Sequence, residues 1–73
     1  MNTSTYITDI RQRAEAAGFN MAEVSRKAEI DQAQVSRWIS GKTVPLVSSV
    51  DKLRIALDSL IAQRIAELTK EST

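Results

Sequence analysis

The chain of 73 residues contains no cysteine and no histidine. Without cysteine there is no disulfide, no thiolate nucleophile and no Cys-ligated zinc, as suits a reducing cytosol. Without histidine, the usual general base, metal ligand and pH switch near neutrality are lost together. Paired carboxylates and a phosphate-cradling glycine loop are also missing, so the expectation is a protein that is not an enzyme. No metal, cofactor or small-molecule ligand is expected. The longest apolar run is a few residues, far short of the roughly 20 that span a bilayer. The opening "MNTSTYITD" lacks the basic-then-apolar order of a signal peptide. The expected location is therefore the cytoplasm, with no membrane partner. Glycine occurs twice and proline once, which leaves long stretches free of helix breakers.

What is present is the balance of a folded domain, 42% apolar and 26% charged. The length allows one domain, residues 1–73. A core this small contributes only about 3–5 kcal/mol, so association with a second copy is a natural source of further stability. The net charge of +1 is not by itself an argument for nucleic acid. Arg26, Lys27, Arg37, Lys42, Lys52 and Arg54 crowd the middle of the chain, against Glu29, Asp31 and Asp51. An ordinary solvated surface has the same balance.

Hydrophobic spacing and capping signals organise the chain into helices. Residues 1–4 are polar and expected to fray. A first helix is expected over about Thr5 to Ala17, with Tyr6, Ile7, Ile10, Ala14 and Ala17 inward and Gly18 as its stop. Asn20 followed by Glu23 reads as a capping box for a second helix, Met21 to Ala28, with Met21, Val24 and Ala28 inward. Asp31 caps a third, with Gln34 at the matching position, and Ser40-Gly41 ends it. Two short capped helices separated by a few residues form a helix-turn-helix. Pro45 then suits the start of a fourth helix. From Leu46 to Leu68 apolar residues recur at helical spacing with no breaker. That predicts one helix of about 24 residues, with Asp58-Ser59 as the cap of a separate fifth helix in the alternative.

Gly18-Phe19-Asn20, Val24, Ile30, Val35, Trp38 and the run Gly41-Lys42-Thr43-Val44-Pro45 together resemble the phage-repressor and Cro-like helix-turn-helix DNA-binding family. The resemblance covers roughly Ile10 to Asp58. It implies an all-α, four- to five-helix bundle of the lambda-repressor type, here with a long C-terminal helix. Five positions depart from the family pattern. Met21 stands where the family has a glutamine that can touch phosphate, so only its backbone N–H can serve. Ser25 replaces a small alanine. Glu29 replaces the turn glycine and must tolerate or avoid the left-handed conformation. Ala14 and Ile39 occupy the places of an Arg–Glu ion pair, lost as a pair.

In the resembled family the third helix lies in the DNA major groove. Val35, Trp38 and Ile39 mark its inward side, and Trp38 reads as core because indole brings a large apolar area to a face shared with core residues. The outward side then offers Gln32 to bridge adenine, Arg37 to bridge guanine and the Ala33 methyl to meet thymine. Ser36 suits a base or a phosphate, and Gln34 is rotated off the centre of the face. On an isolated helix the same residues would be a solvated surface; the surrounding motif gives them a role. Asn20 and the Met21 N–H, at the N-terminus of the second helix, suit a phosphate, as do Lys42 and Thr43. Lys27 is a weaker candidate. Leu57, Leu60, Ile61, Ile65 and Leu68 form a stripe that outruns the compact unit, so about residues 59–70 are expected to pair two copies.

The function expected is a sequence-specific double-stranded DNA-binding transcriptional regulator, a repressor of a phage, prophage or small-operon promoter, acting as a homodimer on a palindromic operator. A chain of this length leaves no space for a ligand-sensing domain, which favours a small regulator. The alternative is a module of the same fold that binds protein, or an antitoxin-type co-regulator, without strong DNA binding of its own.

Overall fold

A computed structural model describes residues 4–71, with side chains described over residues 5–69. Of residues 1–4, expected to fray, Ser4 instead begins the first helix, and the other three lie outside the described residues. Four helices follow in order: α1 Ser4–Ala16, α2 Met21–Ala28, α3 Gln32–Ser40 and α4 Val47–Glu71. No strand occurs among the described residues. The alternative with a fifth helix is resolved: α4 is continuous for 25 residues, about 37 Å at 1.5 Å per residue, and Asp58-Ser59 interrupt nothing.

The first three helices end in one way. A residue in the left-handed region follows each: Gly18 at φ 86°, Glu29 at φ 60° and Gly41 at φ 82°. At each end two backbone N–H groups turn back onto the last helical turn. Gly18 donates to Glu15 O and Phe19 to Ala14 O; Glu29 to Arg26 O and Ile30 to Ser25 O; Gly41 to Trp38 O and Lys42 to Arg37 O. This paired pattern satisfies carbonyls that a helix end leaves open. Glu29 therefore accepts the conformation that the family usually gives to glycine, at an expense of roughly 1–2 kcal/mol for an L-residue.

Side-chain caps start the middle helices. Asn20 Oδ1 accepts from Glu23 N at 2.9 Å, and Phe19 and Val24, which flank this cap at the staple positions, are both buried in the core. Asp31 Oδ1 accepts from Ala33 N at 3.0 Å, whereas the Gln34 N–H goes to the Asp31 carbonyl; the cap thus works one residue earlier than the capping-box spacing suggests. Pro45 is not in the first turn of α4. The Leu46 carbonyl takes the first bonds, from Ser49 N and Val50 N, so Pro45 lies two residues before the helix, buried in the turn that leads into it.

The core joins Ile7, Ile10 and Ala14 of α1, Phe19, Val24 of α2, Val35 and Trp38 of α3, and Val50, Leu53, Ala56 and Leu57 of α4. Ala17, Met21, Ala28, Ile30, Ile39, Leu60 and Ile61 pack on its edge. Tyr6, expected inward, is exposed. It lies beside Val47 at the rim of a groove between α1 and α4. Ser25 is the buried polar residue, and its Oγ donates to Met21 O at 2.6 Å, so this departure leaves no orphaned group. Ala14 is buried and Ile39 half-buried against the same core, consistent with apolar packing where relatives carry charge. Arg13 Nη2 reaches Asp58 Oδ1 at 2.9 Å and ties α1 to α4, an exposed pair that contributes about 0–1 kcal/mol.

Relief of the strain at Glu29 is measurable. Glu29→Gly should raise stability by about 0.5–1 kcal/mol, a Tm gain of roughly 2–8 °C in a domain this size. A thermal melt showing no gain, or a loss, would contradict the strain assignment.

Candidate nucleic-acid interface

The nine residues of α3 are too few to form a stable helix alone; burial along one side fixes them. Val35 is buried and Trp38 is 4% exposed, with Ile39 half-buried beside them. Gln32, Ala33, Gln34, Ser36, Arg37 and Ser40 are all exposed. The helix is thus divided lengthwise, with the indole serving as anchor. The outward residues include two side chains able to make paired hydrogen bonds to base edges, Gln32 and Arg37, and a methyl group, Ala33.

The structure brings Gln32 together with Asn20 and Met21. They line one groove with Phe19, Ile39, Arg11 and Glu15. The amino end of α2 and the amino end of α3 therefore open on the same hollow. The Asn20 side-chain oxygen is held by the Glu23 N–H, which leaves its amide N–H groups to donate outward. Arg11 belongs to this rim and was missed in the sequence. Its Nε contacts Glu15 Oε1 at 3.2 Å, a local pair on α1 that carries no sign of the groove.

At the other end of α3 the Arg37 carbonyl gathers three donors: Lys42 N at 3.0 Å, Thr43 N at 3.5 Å and Ser40 Oγ at 3.1 Å. Lys42 and Thr43 are exposed and are held at the carboxyl end of α3 by these bonds. Neither Arg37 nor Lys42 forms an ion pair among the described residues.

Lys27 lines one groove beside α4 with Lys52, Ile55 and Ser59, and another with Asn20, Glu23, Arg26 and Leu60. The basic residues that crowd the middle of the sequence are spread over several faces. Lys27 and Lys52 share the α4 side, Arg54 pairs with Asp51 at 2.9 Å, and Arg37 and Lys42 stay with α3. Helical geometry separates neighbours in sequence, which a linear count of charge cannot see.

The pairing stripe on α4 is also divided. Leu57 is 0% exposed and belongs to the chain's own core, so it is removed from the surface set. Leu60 and Ile61 are half-buried on that core. Ile65 and Leu68 are 58% and 59% exposed.

A family model described as helix-turn-helix matches residues 10–63, well over half the chain. It spans the whole arrangement from Ile10 to Gln63, five residues further than the resemblance read from the sequence. No curated protein matches, and no solved structure does.

The lengthwise division of α3 predicts two classes of alanine variant. Trp38→Ala should lose about 3–5 kcal/mol, enough to abolish cooperative unfolding in so small a domain. Gln32→Ala and Ser36→Ala should stay within about 0.5 kcal/mol of the parent in urea titration. A large loss at Gln32 would place it in the core and out of the reader.

Proposed function

The chain belongs to the helix-turn-helix family of DNA-binding regulators, of phage-repressor and Cro-like type, and we propose that it is a sequence-specific repressor that binds a palindromic operator as a homodimer. The observation that carries this reading is the division of α3, apolar anchor on one side and exposed Gln32, Ala33, Ser36 and Arg37 on the other. With α3 in the major groove, Arg37 pairs with guanine O6 and N7, Gln32 with adenine, and Ala33 packs on a thymine methyl; Ser36 and Gln34 supply secondary contacts. The backbone N–H groups at the start of α2, Asn20 and Met21 included, hold one phosphate. Lys42 and Thr43 hold another, past the carboxyl end of α3. Phosphate contacts set the register and base contacts set the sequence. Lys27, on the α4 side, is ranked last.

Pairing proceeds through the last turns of α4, where Ile65 and Leu68 are exposed and Leu60 and Ile61 continue the stripe. A two-fold pair reads two half-sites one helical turn apart, ~10 bp centre to centre, or a multiple of it. Occupying an operator that overlaps a promoter represses without catalysis. The family resemblance supports placing that operator at a phage, prophage or small-operon promoter.

Selection of bound duplexes from a random pool tests the reading directly, by returning an operator and its symmetry. On that operator Arg37→Ala should weaken binding by about 1–3 kcal/mol and relax one base position. Lys42→Ala should weaken all sequences alike and lower the salt slope by about one. A protein that selects no sequence, with binding insensitive to salt, is instead a protein-interaction module. Separately, Ile65→Glu with Leu68→Glu should leave helicity intact and give monomers by sedimentation. A persistent dimer would move the interface elsewhere.

A further inference from the structure

Arg64 is the first residue beyond the matched segment, yet it reaches back to the turn between α1 and α2. Its Nη1 donates to the Ala17 carbonyl at 3.4 Å. Its guanidinium carbon lies 4.2 Å from the centre of the Phe19 ring. A β-carbon on Gly18 would come within 3.0 Å of the same Nη1. One side chain thus touches three consecutive residues, Ala17, Gly18 and Phe19. The charge also sits at the negative end of α1, where a cation is favoured, and over an aromatic face, where it is attracted by the ring.

Directly after this turn comes Asn20, the cap of α2. Phe19 is buried beneath the guanidinium and lines the same groove as Asn20, Met21 and Gln32. The placement of Phe19 therefore sets where the amino end of α2 points.

We propose that Arg64 is a positioning residue for DNA binding: from α4 it clamps the Ala17–Phe19 turn and so fixes the phosphate-holding end of α2. This rests on the functional reading above. Arg64 itself touches no DNA. Removing it leaves the core closed but lets the Phe19–Asn20 step move, and the phosphate contact loosens with it.

The test uses the full chain and the operator selected by the parent protein, with single phosphates replaced by neutral methylphosphonates. The parent should lose affinity at the phosphate held by α2, the position to which Asn20→Ala becomes indifferent. Arg64→Ala should bind about five- to tenfold more weakly and become indifferent at that same position, with base preference at the Arg37 position unchanged. Phe19→Leu removes the ring but keeps an apolar side chain. It should reproduce the Arg64→Ala profile, and the double variant should be no worse than either single one, the mark of two groups acting as one unit. Without DNA, exchange of the Glu23 amide, which is bonded to Asn20 Oδ1, should quicken in Arg64→Ala while helicity is kept.

A direct Arg64–phosphate contact would give a different lost position, untouched by Phe19→Leu, and would overturn the proposal. So would a parent-like methylphosphonate profile or unchanged Glu23 exchange in Arg64→Ala. A parent protein that selects no duplex overturns the functional reading, and this proposal with it. The other outcomes overturn the proposal alone, because parent binding is then intact.

Discussion

Val35 and Trp38 pin α3 to the body of the protein, and the remaining structure is arranged to make that possible. A helix of nine residues has too few internal hydrogen bonds to offset its nucleation, so its position must come from tertiary burial. Val35 and Trp38 are its buried residues, and α1 and α2 supply the surface against which α3 packs. The arrangement leaves the outward side of α3 free of packing duties. Its residues can be selected for what they contact outside, because Gln32, Ser36 and Arg37 carry little of the fold.

The short connections depend on a second constraint. Three helices must end and reverse within about half a dozen residues or fewer, and each does it with one left-handed residue and two backbone bonds. These turns place the amino ends of α2 and α3 on one groove. The long α4 provides the floor. Leu53 and Leu57 are enclosed by the other helices, α2 packs on it most extensively, and its far end projects, giving a molecule 46 Å long and only about half that in its other dimensions.

Much of this was legible in the sequence because it is encoded locally. Asn20, Asp31 and Gly41 mark the bounds of α2 and α3, and their capping chemistry acts over two or three residues. The lack of any breaker between Val47 and Leu68 foretold a single α4. Properties that depend on which neighbour faces a residue were not legible. Leu57 and Ile65 belong to the same apolar stripe, yet one is enclosed and the other exposed, because α1 ends level with Arg64 and α4 continues past it. Lys27 and Lys42 read alike in a charge count, but helix rotation and the turn after α2 send them to different sides. Tyr6 fell outward although its neighbour Ile7, in the same first turn of α1, is buried. Arg11 was overlooked because its neighbourhood is made by α2 and α3, which come later in the chain.

The left-handed Glu29 has a consequence at the level of the gene. Both glutamate codons become glycine codons through a single base transition. A gain of about 0.5–1 kcal/mol is thus one mutational step away, in a domain whose core contributes only about 3–5 kcal/mol. That substitution would offset other, destabilising changes without altering any residue assigned to DNA.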